Sequence, residues 1–428
     1  MSAKRQSPGH AAKAKKTIAL VSLGCAKNAV DLQVMAGNLL KKGYAMSPDP
    51  DRADVVIVNT CAFIASAREE AEREIVRAVQ LKSAGRYGRV VVAGCYPKRY
   101  PKAASRFPGV DVWQGVPEEW IEPKMPELRF TGKAFAYLKI AEGCAHKCAY
   151  CAIPAIRGKY RSRPLASILR EARALLASGC RELNIVAQDP MLYGVDLKEG
   201  RTTLTDLLWR LDRLPGEFWV RVLYSYPSEI TEEFLDWLVN SRHGVRYVDV
   251  PLQHTVPEIL ARMNRKSAIE ASLAAAEALR QVVPDVTLRT TIMTGFPGET
   301  EARFAQMRAD LRRMQFDHLG AFAFSPEKGT KAARMSGRPS RKVAEERERI
   351  VMEDAERLWK VKSARMVGGT FDALVVAPGV ARMRSQAPDV DGVVYVLDTP
   401  KGRRAEVGDF VRIRLVKACG FDFEGEVA

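Results

Sequence analysis

The sequence predicts an α/β protein built from an N-terminal doubly wound parallel sheet, a central partial TIM-like barrel and a small C-terminal antiparallel β-barrel. Three observations predict this fold class. The chain has 428 residues, 47% of them hydrophobic, which is enough for about three domains. Short β-rich runs alternate with helical patterns over most of the chain. From residue 363 onward, β-branched runs are instead separated by Gly, Pro and Asp.

The N-terminal domain is predicted over residues 17–118. Its β-rich runs TIALVSL, ADVVIVN and RVVVA are separated by the helical patterns VDLQVMAGNLLKKG and SAREEAEREIVRAVQLK. Strands that alternate with helices in this way predict a parallel, doubly wound sheet. Closely spaced prolines then interrupt the pattern, so a linker is predicted over residues 119–135.

The central domain is predicted over residues 136–362. Six further strand runs, AYLKIA, ELNIVAQD, WVRVLYSYP, YVDVPLQ, VTLRTTIMTG and HLGAFAFSP, have helical sequence between them and indicate a barrel or partial barrel. The stretch that follows Ser340 has helical spacing without Pro or Gly, and it predicts a connecting helix. The small antiparallel barrel is predicted over residues 363–428.

The net charge of +16 favours a partner rich in phosphate. Residues 1–16 contain five Lys or Arg residues and no acidic residue, so they predict a disordered basic tail, with an organelle transit peptide as the alternative. Residues 363–428 hold nine basic and nine acidic side chains and are neutral overall. A neutral C-terminal domain suits a basic protein better than an RNA strand.

The cellular compartment is predicted from the apolar runs and the cysteines. No stretch reaches the ~20 apolar residues that a membrane span needs, and the N-terminus lacks the apolar core of a signal peptide. Eight cysteines are too few for a secreted disulfide scaffold of this length. We therefore expect a cytoplasmic protein with no membrane attachment, in which grouped cysteines bind metal or do chemistry.

The stretch AEGCAHKCAYCAIP places Cys144, Cys148 and Cys151 within eight residues of one another, directly after a predicted strand. Thiolates are the preferred ligands of iron–sulfur clusters, and three of them leave one iron of a [4Fe–4S] cube open for a cofactor. A zinc site is the alternative, because zinc normally takes four ligands and His146 is nearby. His146, however, lies between two close cysteines, where it is badly placed to join them around one ion.

This cysteine pattern resembles that of the radical S-adenosylmethionine (SAM) superfamily. The resemblance implies that the open iron binds the amino and carboxylate groups of SAM and that Tyr150 lies near the adenine. Gly295, Gly298 and Glu299 resemble the glycine-rich SAM segment of that superfamily. Further candidate contacts for SAM or substrate lie at or near strand ends, where barrel enzymes place their chemistry: Gln188, Asp189, Gln253, His254 and Arg289. Taken singly, each of them is more typical of an ordinary strand-end residue, because loops are polar anyway.

A second triplet is predicted from Cys25, Cys61 and Cys95, which end the runs VSLGC, IVNTC and VVAGC. Ligands gather beyond the carboxyl ends of parallel strands, so these thiols can converge on a second cluster. The alternative is three separate buried thiols, since free cysteine packs as a small hydrophobe. Cys180 and Cys419 belong to neither triplet.

Together the two triplets resemble the radical SAM methylthiotransferases, whose layout is an N-terminal cluster domain, a radical SAM barrel and a C-terminal TRAM barrel. The resemblance implies two [4Fe–4S] clusters and SAM as cofactors. It also implies an electron donor of flavodoxin or ferredoxin type and a sulfur donor. In that family the extra cluster carries the sulfur that is delivered. No side chain is assigned a catalytic role of its own.

The stretches GCAKN, NTCAFI, CAIPAIRGKYRSRP, PLQH and QAPDVDG resemble the RimO-type branch of this family. That branch implies insertion of a methylthio group at the β-carbon of an aspartate of small-subunit ribosomal protein twelve, free or within the ribosomal subunit. Three alternatives stay open. They are methylthiolation of a transfer RNA adenosine, a radical SAM methyltransferase without sulfur insertion, and a non-catalytic nucleic-acid-binding module with structural zinc.

Overall fold

The computed structural model describes residues 15–116, 129, 131–197, 202–265, 276–397 and 405–428. The predicted basic tail lies outside the described residues except for its last two, and most of the predicted linker also lies outside them. Within the described ranges, no helix is both long and apolar enough to cross a lipid bilayer.

The N-terminal domain is a five-stranded parallel sheet with the strand order β2-β1-β3-β4-β5. Its strands are β1 Thr17–Ser22, β2 Ala45–Met46, β3 Ala53–Thr60, β4 Tyr87–Gly94 and β5 Val112–Gln114. Its helices are α1 Ala26–Lys41, α2 Ala65–Ser83 and the short α3 Cys95–Arg99. The three predicted strands and both predicted helices are present. The short strands β2 and β5 at the two edges were not predicted.

The two long helices cover opposite faces of this sheet. Val56 and Ile57 are neighbours in β3, so their side chains point to opposite faces. Ile57 packs with Leu32 of α1, whereas Val56 packs with Ile75 of α2. The domain is therefore doubly wound, as predicted.

The central domain is a six-stranded partial barrel. Its strands are β6 Phe135–Lys139, β9 Glu182–Val186, β10 Trp219–Val222, β11 Tyr247–Asp249, β12 Thr287–Thr294 and β13 His318–Ala323. They form two parallel sheets, β10-β9-β6 and β11-β12-β13, which a parallel bridge between Val220 and Gly244 joins. All six strands were predicted. A small antiparallel pair, β7 Ala141–Glu142 with β8 Arg161–Ser162, was not.

The helices of this domain include α4 Ile153–Arg157, α5 Leu165–Ala177, α6 Leu204–Asp212, α7 Glu232–Asn240, α8 Pro257–Arg262 and α9 Glu301–Met314. The connecting helix is α10, Arg341–Met366, and the Ser340 hydroxyl caps it by accepting a hydrogen bond from the Val343 N–H at 3.3 Å. Near its end, the Trp359 indole donates to the Gly420 carbonyl of the C-terminal domain at 2.7 Å. The helix therefore connects the central and C-terminal domains, as predicted.

The C-terminal domain is a closed barrel with the strand order β14-β15-β16-β18-β17. Its strands are β14 Thr370–Ala377, β15 Val380–Met383, β16 Val394–Val396, β17 Phe410–Cys419 and β18 Asp422–Val427. The prediction of an antiparallel barrel was wrong for one pair, because β16 and β18 run parallel. An odd number of strands cannot alternate in direction all the way around a closed ring, so one pair must be parallel.

The segment between β15 and β16 docks onto the amino-terminal ends of the central strands. The Asp391 carboxylate accepts from the Tyr247 hydroxyl at 2.7 Å and from the Arg289 guanidinium at 2.6 Å. The Asp389 carboxylate accepts from the Tyr137 hydroxyl at 2.5 Å. The C-terminal barrel therefore covers the base of the central barrel, opposite the carboxyl ends of its strands.

We predict that Asp391→Ala destabilises the protein by about 3 to 5 kcal/mol, because it leaves the Arg289 guanidinium, which is 16% exposed, with only the more distant carboxylate of Asp249 at 3.8 Å. Urea unfolding monitored by tryptophan fluorescence measures this loss. Asp372→Ala is the matched control. The Asp372 side chain is 53% exposed and faces two arginines at the surface, so its removal should change the unfolding free energy little. Equal effects of the two substitutions would contradict the docking role of Asp391.

Candidate iron–sulfur and SAM site

The first cysteine triplet lies at the carboxyl edge of the N-terminal sheet. Thr60 is paired with Gly94 in neighbouring strands, so Cys61 and Cys95 leave those strands at the same level. Cys25 follows β1 on the other side of β3. Its loop approaches closely, because a Cβ atom added at Gly24 would lie 2.7 Å from the Cys61 Cβ atom. The parallel sheet therefore brings together the three thiols that the sequence singled out.

Asn28 joins the loops that carry these cysteines. Its side-chain amide donates to the carbonyls of Leu23 and Thr60, both at 3.0 Å, and its amide oxygen accepts from the Cys95 thiol at 3.5 Å. The Asn59 amide in turn donates to the Asn28 carbonyl at 2.7 Å. Asn28 is 1% exposed, so this arrangement is shielded from water.

Burial favours the protonated form of two thiols of the first triplet, those of Cys61 and Cys95. Burial raises the pKa of Cys61, and it raises the pKa of Cys95 to about 12 despite the nearby guanidinium of Arg157. A metal ligand must be a thiolate, so loading this site releases protons.

The second triplet lies in the loop after β7, which is held from several sides. Gly143 has a φ of +79°, and a Cβ atom there would lie 2.1 Å from the Lys159 carbonyl oxygen, so the turn before Cys144 requires glycine. The Ala149 N–H donates to the Met263 carbonyl at 2.9 Å, and the Cys151 N–H donates to the Cys148 carbonyl at 3.1 Å. Burial raises the pKa of Cys144 to about 11 and that of Cys151 to about 12.

His146 is not aimed at the thiols in a way that would complete a zinc site. Its Nε2 atom lies 2.5 Å from the Asp189 carboxylate, and its ring stacks on Tyr226 with centroids 3.9 Å apart. Across the described residues, no three His, Cys, Asp or Glu side chains meet closely enough to share a single metal ion. A cube-shaped cluster makes a weaker demand, because each thiolate binds a different iron.

A short helix connects the two triplets. The first N–H of α4, from Ile153, donates to the Cys151 sulfur at 3.4 Å. Its last residue, Arg157, donates through Nη2 to the Cys95 sulfur at 3.1 Å. The helix has five residues, and at a rise of 1.5 Å per residue it is roughly 7 Å long. One triplet therefore contacts the start of this short helix, and the other contacts the side chain of its last residue.

Arg157 belongs to a buried ionic quartet of Asp31, Lys139, Glu142 and Arg157. Nη1 of Arg157 lies 2.6 Å from Asp31 and 3.2 Å from Glu142, and Nζ of Lys139 lies 2.6 Å and 2.9 Å from the same two carboxylates. All four side chains are at most 4% exposed. Although burial opposes ionisation, Lys139 and Arg157 hold the pKa of Glu142 well below its ordinary value.

Arg265 makes the corresponding contact to the second triplet. Its Nη1 atom donates to the Cys148 sulfur at 3.7 Å and to the Tyr150 hydroxyl at 3.4 Å. Its Nη2 atom donates to the Pro251 carbonyl at 2.8 Å, and its guanidinium stacks 4.1 Å from the Tyr226 ring centroid. Neither Arg157 nor Arg265 was predicted as a site residue, since a lone arginine carries no local signal in the sequence.

Several buried polar atoms near the second triplet have no hydrogen-bond partner within the protein. They are the side-chain oxygens of Gln188, Ser225 and Gln253, which follow the carboxyl ends of β9, β10 and β11. Burying a polar atom without a partner costs free energy. The amino group and ribose hydroxyls of SAM would supply the missing donors, so these residues fit that cofactor.

Several of the predicted SAM contacts lie together at the carboxyl ends of the barrel strands. Tyr150 packs edge-on against Phe296 of the glycine-rich loop, with ring centroids 6.5 Å apart. Gln188 donates to Glu142 at 2.7 Å, so its partner-free oxygen points away from the quartet. These contacts bring Tyr150, Gln188 and the glycine-rich loop to the same barrel mouth.

The glycine-rich loop itself is stabilised by internal contacts. The Glu299 carboxylate accepts from the Gly295 N–H and the Arg347 guanidinium, both at 2.8 Å, and lies 3.2 Å from His254. The Gly298 N–H donates to the Gly337 carbonyl at 2.7 Å. Glu299 and His254 therefore shape the loop rather than offer free polar groups to a ligand.

Arg289 lies elsewhere. Its guanidinium pairs with Asp391 of the C-terminal domain at 2.6 Å and lies 3.8 Å from Asp249. It occupies the third position of β12, near the base of the barrel, whereas the cluster loop lies at the mouth. These two ion pairs hold the Arg289 guanidinium away from the cluster loop, in contrast to its prediction as a SAM contact.

Comparisons with known proteins place the chain in a class. The model of the radical SAM superfamily matches residues 138–311, that of the uncharacterized protein family UPF0004 matches residues 17–115, and that of the TRAM domain matches residues 367–428. Among solved structures, the fold is similar to the radical SAM methyltransferase TsrM of Kitasatospora setae, with a TM-score of 0.53 and 19% identity over 74% of this chain and 77% of that one. The protein is thus a radical SAM enzyme that uses SAM and [4Fe–4S] clusters.

Closer relatives define the family. The ribosomal protein uS12 methylthiotransferase RimO of Syntrophus aciditrophicus is 39% identical over 96% of this chain and 98% of the relative. RimO of Geobacter sulfurreducens is 39% identical over 97% and 99%, and RimO of Moorella thermoacetica is 40% identical over 96% and 99%. The chain belongs to the RimO family of methylthiotransferases.

We predict that the anaerobically loaded chain holds about eight iron ions, in two four-iron clusters. Cys61→Ala should reduce the iron content to about half and leave the SAM-dependent cluster, whereas Cys148→Ala should reduce it to about half and abolish SAM cleavage. Iron analysis and deoxyadenosine release measure these two outcomes. Cys180→Ala is the control, because Cys180 is buried away from both triplets and donates to the Glu182 carbonyl. Full iron content in Cys61→Ala would contradict the prediction that the first triplet binds a cluster.

Proposed function

We propose that this chain inserts a methylthio group at the β-carbon of an aspartate of ribosomal protein uS12, the small-subunit protein twelve. The observation that carries the proposal is the placement of two cysteine triplets at the two ends of α4, with one guanidinium in contact with Cys95. Such proximity is what a transfer needs when the radical and the sulfur donor must reach one substrate atom. The names of the relatives that match over nearly the whole chain supply the substrate.

We propose one domain for each cluster and a third, C-terminal domain. Residues 17–118 carry the first cluster, residues 136–362 carry the SAM cluster and the connecting helix, and residues 363–428 form the TRAM domain. When bound, SAM and its cluster supply a 5′-deoxyadenosyl radical, and the first cluster supplies the sulfur. The protein residues would hold these groups close to one another.

The residues proposed to hold the cofactors are the two cysteine triplets and the groups at the barrel mouth. Cys25, Cys61 and Cys95 would bind the first cluster, and Cys144, Cys148 and Cys151 would bind the second. Tyr150 and Phe296 offer an aromatic wall for the adenine. The following side-chain oxygens offer acceptors to the amino and hydroxyl groups of SAM: Gln188, Ser225 and Gln253.

Electron supply, sulfur supply and location complete the proposal. A low-potential flavodoxin or ferredoxin would deliver the electron, and a separate donor would renew the sulfur on the first cluster. The proposed location is the cytoplasm, because two clusters held by thiolates need a reducing compartment.

The test is an anaerobic assay with the reconstituted full chain, SAM and dithionite, offered uS12 protein, intact small ribosomal subunits and bulk transfer RNA in parallel. We predict that mass spectrometry finds a methylthio group in place of one hydrogen on a uS12 aspartate. The Cys148→Ala chain is the control, and it should leave every substrate unchanged. If transfer RNA gained the group while uS12 stayed unmodified in both forms, the RNA alternative would replace this proposal.

A further inference from the structure

Each cysteine triplet has one buried arginine that donates a hydrogen bond to one ligand sulfur. Arg157 contacts the Cys95 sulfur at 3.1 Å, and Arg265 contacts the Cys148 sulfur at 3.7 Å. Hydrogen bonds to ligand sulfurs and local positive charge are among the factors that set the reduction potential of an iron–sulfur cluster. Two arginines in matching positions therefore point to control of electron affinity at both sites.

Arg157 is fixed in place by the two carboxylates of the ionic quartet to which it belongs. Asp31 and Glu142 engage its Nη1 atom, which leaves Nη2 directed at Cys95 and at the amide oxygen of Asn28. The quartet contains two carboxylates and two cations, so its formal charges cancel. The effect of Arg157 on Cys95 thus depends on how completely Asp31 and Glu142 offset the guanidinium charge.

Arg265 is fixed in place by neutral groups. The Pro251 carbonyl and the Tyr150 hydroxyl accept its hydrogen bonds, and the Tyr226 ring supports the face of its guanidinium. The two arginines belong to separate networks, because one is anchored between α1 and β7 and the other at the barrel mouth. A change in one network is therefore not transmitted through shared partners to the other.

We propose that Arg157 and Arg265 are positioning residues that set the reduction potentials of the two clusters independently, each through its N–H donor and charge at a single ligand sulfur. The proposal rests on the two clusters of the proposed function but not on the identity of the substrate. Reduction adds one electron, delivered by the external low-potential donor, and makes a cluster more negative. A nearby donor and cation stabilise that reduced state and raise the potential.

The two reduction potentials determine which of the two clusters the incoming electron reduces. SAM cleavage requires reduction of the cluster at Cys144, Cys148 and Cys151, and the neighbouring cluster competes for the same electron over a short distance. Separate arginines allow the two potentials to differ, although both sites are built from three cysteines. The balance between Arg157 and Arg265 would then govern the division of electrons.

The experiment is a redox titration of the anaerobically reconstituted full chain, followed by electron paramagnetic resonance and carried out without substrate. The first cluster is measured alone in a Cys144→Ala, Cys148→Ala background, and the SAM cluster alone in a Cys25→Ala, Cys61→Ala background. Arg157→Lys keeps the charge that Asp31 and Glu142 require, but a single ammonium cannot reach both carboxylates and the sulfur. It should lower the potential of the first cluster and leave that of the SAM cluster unchanged.

Arg265→Lys should affect the other cluster instead. It should lower the potential of the SAM cluster and leave that of the first cluster unchanged. Arg221→Lys is the matched control, because Arg221 is fully buried and pairs with Glu182 at 2.8 Å but lies at the base of the barrel. It should move neither potential.

Asp31→Asn tests the same idea in the opposite direction and does not depend on the stability of Arg157→Lys. It removes one of the two carboxylates that offset the guanidinium, so the potential of the first cluster should rise. The proposal is overturned if Arg157→Lys and Arg265→Lys shift both clusters alike, if neither shifts its own cluster, or if Asp31→Asn lowers the potential of the first cluster. Because no uS12 is present, a wrong substrate assignment would leave these results unchanged.

Discussion

The buried quartet of Asp31, Lys139, Glu142 and Arg157 is the interaction on which the site depends. Its members come from α1, the end of β6, β7 and the end of α4, so it joins the N-terminal sheet to the central barrel. Burying each of these ions costs several kcal/mol, and mutual pairing offsets that cost only if all four are present. The quartet therefore fixes the relative position of two domains that each carry one cysteine triplet.

A buried ionic quartet is not the arrangement that gives an interface the greatest stability. Well-packed apolar side chains of similar volume often fill such an interface at equal or lower free energy. Its position explains the use of ions here, because one cation contacts Cys95 and one carboxylate accepts from Gln188. The same four side chains thus reach the first cluster site on one side and the barrel mouth on the other. The C-terminal barrel closes the opposite end of the central barrel through Asp389 and Asp391.

Much of this arrangement could be predicted from the sequence. Strand runs and helical patterns are local, and they predicted every long strand of the first two domains. The first triplet could be predicted because its cysteines directly follow strands, and parallel pairing places Cys61 and Cys95 at one level. The parallel pair of β16 and β18 could not, because it follows from closing a ring of five strands and not from any local pattern.

The contacts of single charged residues could not be predicted. Arg157 and Cys95 are 62 residues apart, and Arg265 and Cys148 are 117 apart, so only the tertiary fold brings them together. Arg289 is a second example of a charged residue whose partner could not be predicted from the sequence. Its strand was predicted correctly, but the pattern does not reveal that a loop of the C-terminal domain would supply Asp391 as its partner.

The most direct test of the central claim is the position of iron in the anaerobically loaded chain. Anomalous diffraction at the iron edge should show two separate four-iron clusters at opposite ends of α4, one on Cys25, Cys61 and Cys95 and one on Cys144, Cys148 and Cys151. The Arg157 guanidinium should lie beside the first. A single cluster, or a first cluster that lies away from the Arg157 guanidinium, would contradict the account.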